Sequence, residues 1–82
     1  MTPTEMTLSR FVSDEILRGA SPDEIDVEHP LLETGILDSL GLQQLVTFLE
    51  REFEIELEDD HLVLENFASI GAIARLIESI RR

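Results

Sequence analysis

The sequence has no cysteine, which removes disulfides, thiolate metal ligands and a cysteine nucleophile from consideration. Any thioester chemistry must therefore take its sulfur from a prosthetic group. Cations are scarce too: six arginines and no lysine stand against 18 acidic residues, a formal net charge of −12 over 82 residues. Nucleic acids and anionic membranes are polyanions, so this balance disfavours both and points to basic protein surfaces as partners. No apolar run approaches the ~20 residues of a membrane-spanning helix. The start, Met1-Thr2-Pro3-Thr4-Glu5, lacks the basic and apolar segments of a secretion signal. The expectation is a cytoplasmic protein without membrane insertion.

A chain this short makes one domain, residues 1–82, whose core is too small to surround a deep catalytic pocket. A self-contained serine hydrolase needs a base near its serine, and the only histidines are His29 and His61, neither in a hydrolase motif. The Gly-x-Ser-x-Gly elbow is absent. Glu54, Glu56, Glu58, Asp59, Asp60 and His61 lack the spacing and the glycine of a calcium loop, so they are read as solvated acidic surface. No catalytic residue and no metal site are expected; a binding or carrier role takes precedence over an enzyme.

Apolar spacing predicts a first helix from about Thr4 to Arg18, with Leu8, Phe11, Val12 and Ile16 as its stripe. Pro3 and Thr4 suit its start and Gly19 its C-terminal cap. Glu15 falls inside that stripe and is expected at its edge, near the helix end, where it reaches water. From Ala20 to Leu37, two prolines and a glycine interrupt any helical period. Ser21-Pro22-Asp23-Glu24 suits a short helical turn, while Ile25, Val27, Leu31, Leu32, Ile36 and Leu37 pin this long loop to the core. In the second helix, Leu42, Leu45, Val46, Leu49 and Phe53 share a face. Phe53 to Leu57 alternates apolar and acidic residues, but a lone strand has no partner, so an extended connector with Ile55 and Leu57 inward is expected.

Glu58 to Leu64 reads as a short helix with acids at its positive end. The last helix starts at a Ser69 cap and runs to about Arg81, burying Ile70, Ile73, Ala74, Ile77 and Ile80, with Phe67 packed inward just before it. The predicted fold class is all-α: a small four-helix bundle, three longer helices plus a short third helix, with a long loop between helices 1 and 2.

The chain is organised around Glu33-Thr34-Gly35-Ile36-Leu37-Asp38-Ser39-Leu40. Asp38 suits the N-cap of the second helix, which leaves Ser39 in the first turn, where free N–H groups and the positive dipole end favour a phosphate. Helical phase places Leu40 opposite the buried stripe, on an outer face with Gln43, Gln44, Thr47 and Arg51. An apolar side chain exposed beside a modifiable serine suits contact with whatever visits that serine.

Asp38-Ser39-Leu40, preceded by Leu31-Leu32-Glu33-Thr34-Gly35-Ile36-Leu37 and followed by an amphipathic helix ending at Phe53, resembles the signature of acyl carrier and peptidyl carrier proteins. The resemblance covers nearly the whole chain. It implies a 4′-phosphopantetheine arm on Ser39, with Asp38 contacting the arm and the modifying enzyme. The implied partners are a Mg²⁺-dependent phosphopantetheinyl transferase, an adenylate-forming ligase or acyltransferase that loads the arm, and downstream synthase or transferase enzymes. Docking is expected at Leu40, Gln43, Gln44, Thr47 and Arg51, with nearby parts of the long loop and short helix, on a monomeric protein.

Fatty-acid-synthase carriers have a strongly acidic second helix, whereas positions often acidic there are Gly41, Gln44 and Arg51 here. The resemblance therefore implies a specialised free-standing carrier of a nonribosomal peptide, polyketide or D-alanyl type of pathway rather than a fatty-acid-synthase acyl carrier protein. A cavity between the helices would sequester cargo, unless Phe48, Phe53 and Phe67 fill it. The competing class is an unmodified acidic helical interaction module, for which the placement of the serine is accidental.

Overall fold

The computed structural model describes residues 2–18 and 26–81. Helix α1, Pro3–Phe11, starts one residue before the predicted Thr4 because Thr2 supplies the cap. Thr2 Oγ1 accepts the Glu5 N–H at 3.1 Å and Glu5 Oε1 accepts the Thr2 N–H at 2.8 Å, a reciprocal box. Pro3 follows at the first helical position, where its missing N–H costs nothing.

The helix then widens into a π-helical turn, Val12–Ile16, closed by the Leu17 N–H on the Val12 carbonyl at 2.8 Å. A π turn rotates the chain less per residue than an α turn. The under-rotation moves Glu15 out of the apolar stripe into solvent and brings Ser13 into the core, which is how the chain accommodates a carboxylate at a stripe position. The segment ends at Arg18, whose φ of +48° is left-handed. Gly19, the predicted cap, lies outside the described residues, as do the predicted turn at Ser21-Pro22-Asp23-Glu24 and the Ile25 anchor.

Helix α2, Ser39–Glu52, buries Leu45 and Leu49 completely and half-buries Leu42, Val46 and Phe53, as its periodicity predicts. It stops at Phe53, and the next residue, Glu54, turns left-handed at φ +53°. Phe48 sits at the edge of the buried face. Its ring stacks on Phe11 at 4.2 Å and meets Phe53 edge-on at 6.5 Å, so three phenylalanines close the seam between the first helical segment and α2.

The connector alternates as predicted, with Ile55 and Leu57 half-buried between exposed Glu54, Glu56 and Glu58. Glu50 steadies it by accepting the Leu57 N–H at 3.0 Å. The short third helix takes the form of two separate 3-10 turns, Asp59–His61 and Leu64–Phe67. Leu62, Val63 and Leu64 are all exposed, so no buried stripe drives a continuous helix there. His61 instead closes the first turn on itself: its Nδ1 accepts the Glu58 N–H and its carbonyl accepts from the Asn66 side chain. Phe67, 1% exposed, anchors the second turn in the core.

Helix α3, Ile70–Arg81, is capped by Ser69 Oγ, which accepts the Ala72 N–H at 3.1 Å. Ile70, Ile73, Ala74 and Ile77 are buried and Ile80 half-buried, as predicted; Leu76 is buried as well. The long loop is tied to this end of the bundle. Leu31 donates its N–H to Ala68 O, and Val27 O accepts the otherwise orphaned Gly71 N–H at 2.7 Å. A Cβ at Gly71 would sit 2.9 Å from Glu28 Oε2, the end of an exposed side chain that can turn aside. The Arg75–Glu28 ion pair, 3.7 Å and exposed on both sides, adds little. Leu31 and Leu37 complete a core formed with Leu8, Val12, Leu45, Leu49, Phe67 and the α3 isoleucines. All regular elements among the described residues are helical.

Substitutions at two positions test this description by denaturant midpoints. The Ser13 hydroxyl is buried without a hydrogen-bond partner among the described residues, so Ser13→Ala raises stability by about 1 kcal/mol. Glu54→Gly relieves a left-handed non-glycine residue and gains about 1 kcal/mol, whereas Glu54→Ala, still strained, gains little.

Candidate functional site

Asp38 is extended, at φ −106° and ψ −172°, and its Oδ1 accepts the Gly41 N–H at 2.7 Å. Its carbonyl accepts the Leu42 N–H at 2.8 Å, the first bond of α2. This leaves the N–H groups of Ser39 and Leu40 without an intrahelical partner, at the positive end of a 14-residue helix. Ser39 is exposed, and its hydroxyl takes no part in the cap.

The turn that delivers Asp38 is built from the predicted loop residues. Thr34 donates both its N–H, at 3.2 Å, and its hydroxyl, at 2.7 Å, to Pro30 O. Gly35 reverses the chain at φ +80°, a conformation that suits glycine. Leu37 donates its N–H to Leu31 O and buries its side chain, 2% exposed, directly before the cap. The serine is thus held between a core anchor and a helix start.

Gly41 is buried, not an outer-face position. A Cβ there would lie 3.1 Å from Asp38 Oδ1 and 3.4 Å from both Ile16 and Leu37. Its lack of a side chain lets the end of the first helical segment close on α2 and leaves room for the capping carboxylate. The absence of an acid at this position thus goes with its burial in the packed start of α2.

The other outer-face residues stand where helical phase puts them. Leu40 is 63% exposed, and Gln43, Gln44, Thr47 and Arg51 are exposed beside it. A hollow of about 360 Å³ flanks Ser39, lined among others by Arg18, Asp38, Leu40, Gly41 and Gln44. A second, of about 420 Å³, is lined by Phe11, Glu15, Leu40, Gln43, Gln44 and Thr47. Arg18 was not legible as a site residue, because its place beside α2 follows from the π turn before it and its own left-handed backbone; Phe11 was read only as part of the buried stripe. The half-buried His61 is committed to its turn in the acidic connector.

Residues 15–77 match the family model described as "Phosphopantetheine attachment site". The chain is 37% identical over 60 residues to an acyl carrier protein of Sulfurovum sp., covering 73% of this chain and 77% of that one. It is 27% identical over 77 residues to a probable acyl carrier protein, PigG, of Serratia sp., covering 94% and 87%. Among solved structures it is similar to the apo form of KstB-PCP, with a TM-score of 0.68, 29% identity and coverage of 90% and 81%. It is also similar to a chain in a crystal structure named for an FAD-dependent dehydrogenase, with a TM-score of 0.77, 31% identity and coverage of 85% and 97%.

The cap geometry generates a stability prediction that needs no partner. Asp38→Ala removes the acceptor of the Gly41 N–H and costs about 1 kcal/mol, whereas Asp38→Asn, whose amide oxygen accepts the same bond, costs only a few tenths by denaturation.

Proposed function

The chain belongs to the phosphopantetheine-attachment family of acyl and peptidyl carrier proteins, and on that premise we propose that Ser39 Oγ is the atom to which its 4′-phosphopantetheine is joined. The protein is a carrier and not an enzyme. When bound, the group supplies a terminal thiol on which acyl or aminoacyl cargo travels as a thioester. The chain has no cysteine to compete for that cargo.

One observation carries the assignment: an exposed serine at the first position of α2, within the matched residues, between a capping aspartate and an exposed leucine. The residues fit the group. The N–H groups of Ser39 and Leu40, without a partner among the described residues and with the helix dipole behind them, suit the negative charge of a phosphodiester. Asp38 fixes the helix start, and so holds the Ser39 hydroxyl outward for a phosphopantetheinyl transferase. In that transfer the Oγ–phosphorus bond forms, the pyrophosphate linkage of coenzyme A breaks and adenosine 3′,5′-bisphosphate departs. The hydroxyl proton leaves to base or solvent.

Carriers of this family work with synthases and transferases. Here Leu40, Gln43, Gln44, Thr47 and Arg51 are assigned to docking, and the loading partner to an adenylate-forming ligase or acyltransferase. None of those five residues is acidic, so docking relies on Leu40 and side-chain amides, while the −12 net charge acts from elsewhere on the chain. The near-neutral face and the likeness to PigG and KstB-PCP support a specialised pathway over a fatty-acid-synthase role. Residues 1–82 are taken as one monomeric, cytoplasmic carrier domain; no helix among the described residues is long and apolar enough to cross a membrane.

Apo-protein incubated with coenzyme A, Mg²⁺ and a broad-specificity phosphopantetheinyl transferase gains the mass of one phosphopantetheine. Ser39→Ala gains none and keeps the wild-type melting temperature, because that side chain lies outside the cap. Modification of Ser39→Ala would move the attachment elsewhere. A folded wild type that several transferases leave unmodified would favour the acidic interaction module.

A further inference from the structure

We infer that the arm attached at Ser39 rests in the trough between the end of the first helical segment and the outer face of α2, with Arg18 at its phosphate end. This deepens the Ser39 assignment and rests on it.

The two hollows share Glu15, Leu40 and Gln44, so they adjoin, and we take them together as one trough. Asp38 and Leu40, the chain neighbours of Ser39, line one end, and Phe11 lines the other. A group tethered at the mouth of a trough meets its walls at high effective concentration, so even weak contacts are populated.

The walls offer groups that can meet the parts of the arm. A phosphodiester keeps its negative charge, and the one cation lining the Ser39 end, beside the carboxylates of Asp38 and Glu15, is Arg18, which forms no ion pair among the described residues. Arg18 is also held left-handed, a conformation that costs a non-glycine residue roughly 1 kcal/mol and collects where function requires it. Next comes Gln44, exposed, whose side-chain amide offers both a donor and an acceptor to the amides of pantetheine. The half-buried Phe11, stacked on Phe48, gives an apolar end. Beneath these walls Leu8, Leu31, Leu45, Leu49 and Ile77 are fully buried.

The test uses holo-protein whose loading has been verified by mass. Because the chain has no cysteine, a maleimide nitroxide reacts with the arm thiol alone. In ¹⁵N-labelled protein, the amide signals of Phe11, Glu15 and Gln44 are expected to broaden selectively relative to the reduced nitroxide, with those of residues 62–66 spared. Arg18→Asn, asparagine being tolerated at positive φ, should weaken the Phe11 and Glu15 broadening about two-fold, the effect of one exposed ion pair. Uniformly weak broadening, or broadening centred on 62–66, overturns the trough. An unchanged pattern in Arg18→Asn overturns the role of Arg18. Failure to gain mass fails earlier, at the Ser39 assignment, and takes this inference with it.

Discussion

The bond from the Gly41 N–H to Asp38 Oδ1 sets the register of everything around the site. It decides that α2 begins at Ser39 and not one residue to either side. A shift of one residue would rotate the helix by about 100°. Leu40 would then turn toward the bundle, and a longer residue would replace Gly41 where Ile16 and Leu37 press closest. The exposed serine, the exposed leucine and the buried glycine are three consequences of one cap. Leu37, buried immediately upstream, keeps that cap from fraying, because moving Asp38 would pull an apolar side chain out of the core.

The parts of this arrangement legible in the sequence are those fixed by neighbours in the chain. Asp38 and Ser69 cap as their residue types suggest, and the stripes of α2 and α3 follow simple helical phase. The first segment was less legible, because its phase is set by a contest. A regular α-helix would place the Glu15 carboxylate in the stripe; the π turn removes it at the cost of burying the Ser13 hydroxyl. No local rule states which penalty is smaller, since burying a charge costs far more than burying a hydroxyl only when no water can reach it. The burial of Gly41 was not legible either, because it depends on the approach of Ile16 from the first segment. The short third helix failed as a continuous element because Leu62, Val63 and Leu64 have no partner to bury against.

Charge is distributed so that the site face and the acidic surface are separate. Glu54, Glu56, Glu58, Asp59 and Asp60 are exposed in the connector, while the outer face of α2 carries amides, a hydroxyl, a leucine and one arginine. Long-range attraction of a basic partner therefore arises largely away from the serine, whereas selectivity on contact comes from a surface with little charge of its own. Such an arrangement favours rapid encounter and easy release, which suits a protein that must visit several enzymes in turn.

Resting the arm on the docking face has a thermodynamic consequence. Leu40, Gln43, Gln44 and Thr47 line the trough and also form the surface assigned to partners. A partner that covers them displaces the arm, so docking and release of the arm are one equilibrium. The trough contacts are shallow and exposed, and each is worth no more than a fraction of a kcal/mol to about 1 kcal/mol. That is enough to keep the thiol end close to the protein between encounters. It is too little to oppose a partner that buries Leu40 and its neighbours. Because linkage is reciprocal, cargo that strengthens the trough contacts weakens docking by the same factor, and cargo that disrupts them strengthens it. A carrier with no catalytic group could in this way still bias which loaded state an enzyme meets first.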